Sequence, residues 1–389
     1  MSERGLMAPL FGDPEVDTAI GDAALARAML TAEAALAQAC EQAGVIPRGA
    51  GSAIASACAG LEVDIVELGG AARSSGNPVV PLVSLVRDAV DPSHRPSVHA
   101  GATSQDILDT ALMLLCRDGV VLTVNRLRTA IASCVLLCRD HRDTVMLGRT
   151  LGQAAAPTTF GRKCAGWLVA LGESTDRLEV VARDRLAVQL GGPVGILAAY
   201  GDKGAEVVAA FASRLGLPAP LLPWHTDRGR VHELAGAIGA VSAAAAKVAG
   251  DVVLMAQAEL GEVTLATSGG SSSMPHKQNP VTAILVNAGA MRVPGLVATL
   301  LAVGSHEHER ASGQWHAEWE PLRELVSLAG GIAANTADLL ADLQPHPDRM
   351  RANLDAVAES IAPAADPQTV LGSAGAMVDR ALATYGVTR

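Results

Sequence analysis

Residues 224–274 contain no proline, and within them Leu234, Ile238, Val241, Ala245, Val248, Val252 and Met255 fall at alternating spacings of four and three. That is a heptad seam, the pattern of a helix packed along its length against other helices. Lys247 and Asp251 interrupt the other faces, and Ala, Gly and Ser fill most of the remainder. A helix through this stretch is on the order of 50 Å long. Apolar or small on several faces, it belongs inside a bundle, and a bundle shared between subunits is its natural host.

The rest of the composition agrees. Apolar residues make up 49% of the 389 but aromatics only 2%, so the interior is built from closely spaced backbones, with Ala and Gly in place of large rings. Ala is the best helix former, and runs of β-branched or aromatic residues of strand type are scarce. The fold class expected is all-α. Helices are expected over 18–43, 50–70, 104–138, 158–189, 281–304 and 318–343, with a Pro/Gly loop over 74–82 and a polar break at 139–143.

Thirty Lys and Arg stand against forty Asp and Glu, a net charge of −10. A phosphate backbone is repelled overall and few rings exist to stack bases, so nucleic acid is excluded as a partner. No charge-free run reaches the roughly 18 residues of a membrane span. The start, MSERGLMAPL, has no basic region followed by an apolar stretch, so no secretory signal is read. Six cysteines (40, 58, 116, 134, 138, 164) lie in apolar segments without CxxC spacing. Buried thiols in a reducing cytoplasm are expected.

The chemistry concentrates in TSGGSSSMPHKQNP, residues 267–280. Seven consecutive Gly, Ser or Thr residues cannot hold a helix, and their free N–H groups suit a loop that closes over an anion. Lys277 and Asn279 follow, between Pro275 and Pro280. A hydroxyl from Ser271, Ser272 or Ser273 beside such a carboxylate clamp suits removal of a proton from carbon next to a carboxylate. That reaction needs a doubly charged aci-carboxylate to be stabilised.

GSSSMPHKQNP resembles the GSSxMPxKxNP loop of the fumarase/aspartase superfamily. HAGATSQDILDTAL (99–112) is similar to that family's HxGxTSxDxxDT block, and GRTLGQAAAPTTFGRK (148–163) to its GRTxxQxxxPTTFG block. GNPVVPL (76–82) and ERASGQWHAEWEPL (309–322) resemble its muconate cycloisomerase branch, to which nitrosuccinate lyases are similar. The resemblance covers most of the chain. It implies a small polycarboxylate substrate, no cofactor and no metal, and a homotetramer with a twenty-helix core whose active sites are each shared by three subunits. It also implies three domains: 1–102, a central long-helix bundle 103–340 carrying the lid loop 267–280, and a short C-terminal domain 341–389.

Carried over by position, the resemblance makes Ser271 the base and gives Lys277 and Asn279 a substrate carboxylate. Thr103 and Ser104 would hydrogen-bond a carboxylate from another subunit. Thr150, Gln153, His99 and Asn77 fall at substrate-contacting positions, and Arg310 matches an arginine suited to a carboxylate fork. The departures are informative. Leu151 stands where adenylosuccinate and argininosuccinate lyases carry their acid histidine, and Ala154 where the cycloisomerases carry one. A strongly basic amine or amidine leaving group needs that proton; a lactone carboxylate or nitrite does not. Three readings therefore stand: a 3-carboxy-cis,cis-muconate cycloisomerase-like enzyme, a lyase releasing nitrite from nitrosuccinate to give fumarate, and a catalytically silent scaffold.

Other motifs carry less. HEHER (306–310) with His316 lacks metal-ligand spacing. GGPVG (191–195) reads as a turn, the pair Trp315 and Trp319 as a packing anchor. PWHTDRGR (223–230) reads as capping and loop ion pairs, or as a rim of the substrate site.

Overall fold

The computed structural model describes residues 5–267, 269–270, 274, 278–357 and 370–386. The fold is all-α with three small two-stranded sheets among the described residues. In chain order the helices are α1 Ala8–Phe11, α2 Pro14–Ala19, α3 Asp22–Gln42, α4 Ala50–Gly60, α5 Ile65–Ser75, α6 Val79–Ala89, α7 Ser104–Asp140 and α8 Phe160–Asp184. They continue with α9 Gly204–Leu215, α10 Gly229–Met255, α11 Val281–Ala302, α12 Gln314–Asp342, α13 Pro347–Asp355 and α14 Ala374–Tyr385.

Five long helices, α7, α8, α10, α11 and α12, pack on one another as the central bundle. The heptad seam lies on α10, where Leu234, Ile238, Val241, Ala245, Val248 and Val252 are wholly buried and Met255 nearly so. At 27 residues the helix is about 40 Å long, shorter than its proline-free stretch allows. Its off-seam charges are used: Lys247 pairs with Asp251, whose other oxygen accepts the Trp167 indole N–H at 2.8 Å. Close approach elsewhere relies on small residues. A Cβ on Gly119 of α7 would stand 2.6 Å from Val326 of α12. All six cysteines are free and buried.

Several boundaries differ from the sequence expectation. The helix expected over 18–43 divides at Ile20–Gly21, and that over 50–70 divides at Leu61–Asp64, where Asp64 caps α5 by accepting the N–H groups of Val66 and Glu67. The loop expected over 74–82 is mostly helix. Gly76, at φ 71°, ends α5 and Pro78 caps α6, so Pro81 falls in a first turn that has no use for its missing N–H. The helix expected over 158–189 ends at Asp184 and is preceded by an unexpected hairpin, β1 Val145–Thr150 with β2 Gln153–Thr159. Its turn residues Leu151 and Gly152 both have positive φ (51° and 79°), as a two-residue hairpin turn with native twist requires. β3 Val263–Leu265 pairs with β6 Leu343–Pro345. In the lid, β4 Gly269–Gly270 pairs with β5 Gln278–Asn279.

By length and composition α10 and α11 could each cross a membrane, α10 with Lys247 and Asp251 along it and α11 with Arg292. Half of α10's most apolar window is buried inside the bundle, but only 28% of α11's. Ile284, Met291 and Leu301 of α11 stand exposed, and with Ala243 and Ala246 of α10 the last two line an apolar groove of about 530 Å³. Ile238→Ala is expected to destabilise the chain by roughly 2–5 kcal/mol, because the seam position cannot collapse. Lys247→Ala should change stability far less, both measured by urea unfolding at equilibrium.

Candidate active site

Everything around the start of α7 is organised by carboxylates buried in its first two turns. Asp106, wholly buried, accepts the Thr103 N–H at 2.9 Å and so caps its own helix. It also accepts the N–H groups of Gly191 and Gly192, each at 2.9 Å, and faces His225 Nε2 at 2.7 Å. The GGPVG turn therefore does cradle an anion, and the anion is the chain's own.

One turn further on, Asp109 receives two bonds from the Arg228 guanidinium (2.8 and 3.1 Å) and one from the Trp315 indole N–H (2.9 Å). Arg228 is itself buried. Its remaining donors reach Glu318 at 2.7 and 3.0 Å, and it lies 4.7 Å from the centre of the Trp224 ring. Burial works against the guanidinium charge, but Asp109 and Glu318 outweigh it and hold Arg228 still more firmly protonated than usual. His306 completes the group, its buried Nε2 3.1 Å from Glu318 without hydrogen-bond alignment.

Apart from Asn77, the sequence-predicted residues that the structure describes fall into three groups. His99, Thr103 and Ser104 lie together at the entrance to α7. Arg310, on the loop between α11 and α12, joins them by donating to Thr103 Oγ1 at 2.7 Å and to the Pro193 carbonyl at 3.1 Å. Thr150 and Gln153 face each other across the exposed tip of the β1–β2 hairpin. Asn279 lies on β5, its amide donating to the Gly269 carbonyl at 3.3 Å. Asn77 uses its side chain locally, accepting the Val79 N–H and donating to the Ser75 carbonyl. Ser271 and Lys277 lie outside the described residues. Among the described residues no hydrogen bond or ion pair joins the three groups.

Backbone strain marks the same places. Non-glycine residues with positive φ among the described residues are His99, Leu151, Leu197 and His308. His99 opens the α7 entrance, Leu151 forms the hairpin tip, Leu197 ends the GGPVG turn and His308 precedes Arg310. Left-handed geometry costs such residues about 1–3 kcal/mol and persists where surroundings enforce it. Among the described residues no group of three His, Cys, Asp or Glu side chains is placed to hold a metal ion.

The Asp106–His225 and Asp109–Arg228–Glu318 contacts were not legible as a network from spacing, since the partners lie 90 or more positions apart in sequence. The available signal was the density of charge in PWHTDRGR beside a Trp, in a chain where only 18% of residues are charged. Removing Arg228 leaves two carboxylates buried without their counter-charge. Arg228→Met is expected to lose about 3–5 kcal/mol in urea unfolding, against little for Arg183→Met on the surface.

The lyase family model matches residues 15–295. The chain is 42% identical to the nitrosuccinate lyase of Streptomyces davaonensis, over 97% of this chain and 84% of that one. It is 41% identical to the 3-carboxy-cis,cis-muconate cycloisomerase of Bradyrhizobium diazoefficiens, over 90% of this chain and 79% of that one. Its fold superposes on the 3-carboxy-cis,cis-muconate lactonizing enzyme of Pseudomonas putida with a TM-score of 0.91 at 33% identity, covering 98% of this chain and 99% of that one. Fold, family match and the relatives together place the chain in the lyase family of the fumarase/aspartase superfamily, as an enzyme of its lyase and cycloisomerase group.

Proposed function

We propose that the enzyme catalyses anti elimination or addition across a carbon–carbon bond of a succinate- or muconate-type polycarboxylate. The carrying observation is Arg310. It is half-buried at the α7 entrance, holds the Thr103 hydroxyl, and meets no carboxylate of its own chain within ion-pair distance among the described residues. Among the described residues two of its donors are used, which leaves the rest of the fork for a substrate carboxylate.

In this reading Ser271 takes the proton from carbon next to a carboxylate. The electron pair passes into that carboxylate, which Lys277 and Asn279 stabilise as the aci form, and then expels the leaving group from the opposite face. Thr103, Ser104 and Arg310 hold the second carboxylate, with His99 and Asn77 at its edge. Thr150 and Gln153 come from a neighbouring copy. The hairpin tip carries Leu151 and Ala154 in place of the imidazoles expected there, which favours a leaving group that needs no proton. A lactone carboxylate meets that condition, which supports 3-carboxy-cis,cis-muconate cycloisomerisation as the first reading. Nitrite meets it equally, and a near full-length alignment to a nitrosuccinate lyase supports nitrite release with formation of fumarate as the second.

A homotetramer in the cytoplasm, without cofactor, metal or membrane, goes with this proposal, as does the division at 102 and 340. The exposed apolar face of α11 supports the assembly: a patch holding Ile284, Met291 and Leu301 asks for cover.

Incubation with 3-carboxymuconate and with nitrosuccinate separates the substrates. Lactone formation followed by ultraviolet absorbance supports the first, and fumarate with an equivalent of nitrite supports the second. Inertness toward both, and toward aspartate, fumarate and adenylosuccinate, would leave the silent scaffold. On the active substrate, Ser271→Ala is expected to cut kcat by about 10²–10⁴-fold with binding retained. Turnover near the wild-type value contradicts the assignment. Met291→Glu should yield smaller, inactive species by light scattering; an intact tetramer argues against this face as the interface.

A further inference from the structure

His99 is held in place from two sides. Its backbone is left-handed at φ 60°, and Gly101, two residues on, has φ 72° and no room for a Cβ, which would stand 2.6 Å from the Tyr200 ring. The Tyr200 hydroxyl donates to the Ala100 carbonyl at 2.9 Å and fixes the bend between them. From the other side Glu33, in the middle of α3, places Oε1 2.5 Å from His99 Nδ1.

Glu33 is wholly buried, and its Oε2 has no hydrogen-bond partner among the described residues. His99 is the one side-chain partner this carboxyl group has among the described residues, and buried charge is tolerated where it is paired. The groups near Glu33 include the thiols of Cys40 and Cys58, the Tyr200 hydroxyl, and Arg27, which donates to the Cys58 carbonyl at 2.9 Å. Burial, with Glu33 adding, pushes the Cys40 and Cys58 thiols up to about 12, and burial raises the Tyr200 hydroxyl as well. For His99 itself, burial opposes the charged form, but the charge and hydrogen bond of Glu33 outweigh it. Asp106 on α7 adds to the rise and Arg87 on α6 opposes it, and the ring titrates above its ordinary value. Nδ1 is taken by Glu33, which leaves Nε2 as the free ring nitrogen, four residues before Thr103.

We infer that Glu33 is a positioning residue that holds His99 as an imidazolium, so that its Nε2–H serves with Arg310 as a fixed cationic anchor for a substrate carboxylate. The role of His99 toward substrate rests on the polycarboxylate reading above; the Glu33–His99 pair itself does not. Because the folded value of His99 is raised, the pair's contribution to stability is full below about pH 6.5 and is lost as pH climbs through the folded value.

The test titrates His99 by NMR in the substrate-free protein with ¹³C-labelled histidine, assigned by its loss in His99→Asn. The wild-type resonance should titrate above the ordinary imidazole value, and Glu33→Gln, which keeps the shape, should bring it down to that value or below. In the same variant, KM for the working substrate, or the Kd of succinate as probe, should rise about tenfold from pH 6 to pH 8. The wild type should change less than the variant over the same range, and kcat little in either. Glu33→Asp, shorter but charged, should restore part of the wild-type profile, and the wild-type titration alone decides the matter if Glu33→Gln fails to fold. A wild-type His99 titrating at or below the ordinary value, or unmoved by Glu33→Gln, overturns the inference even if the proposed reaction is found. A raised His99 in a protein that binds no polycarboxylate leaves the pair standing and removes its substrate role.

Discussion

The four contacts of Asp106 decide where the entrance of α7 sits. Helix N-termini expose N–H groups and favour negative charge, and here that charge is internal and buried. One carboxyl group caps the helix at Thr103, closes the Gly191–Gly192 turn and faces His225 ahead of α10. Three segments far apart in sequence are thereby held together. A substrate anion is then left to be met by side chains around the rim, since Asp106 already occupies this part of the helix dipole. Thr103 can present its hydroxyl to Arg310 because its own N–H is already satisfied.

A second layer supports the first. Asp109 sits three residues on, and Arg228 bridges it to Glu318 on α12, with Trp315 and Gln105 also donating to Asp109. In a chain with so few aromatic residues, two of the four tryptophans, Trp224 and Trp315, are spent at this network as ring face and N–H donor. Buried charges of this kind add little net stability compared with apolar packing, but they are costly to break. They fix position, which a site on loops 191–197 and 303–313 needs more than stability.

The bundle was legible because its signal is local and periodic. Seven residues at three–four spacing declare one face of α10, and each is buried. The β1–β2 hairpin was not legible, because GRTLGQAAAPTT mixes small and polar residues without alternation and its turn depends on two positive φ angles. The helix over 79–89 was hidden by Pro78 and Pro81, which mark a helix start as readily as a loop. The candidate site divides similarly. Ser271, Lys277 and Asn279 stand out as a contiguous motif, whereas Arg310, Thr103 and Pro193 meet only through folding. Glu33 lay in a run of alanines on α3, with nothing in its neighbourhood to announce a partner 66 residues away.

Among the described residues no hydrogen bond or ion pair joins the α7 entrance, the hairpin tip and the β4–β5 pair, and the proposed chemistry would draw its residues from different copies. Subunit complementation tests this most directly. Ser271→Ala and Arg310→Met chains, each inactive alone, are co-expressed with distinct tags and the mixed assemblies isolated. Sites that draw the two residues from different chains should recover roughly a quarter of wild-type activity, since each residue is supplied independently. Mixed assemblies as inactive as either parent would contradict a site shared between subunits.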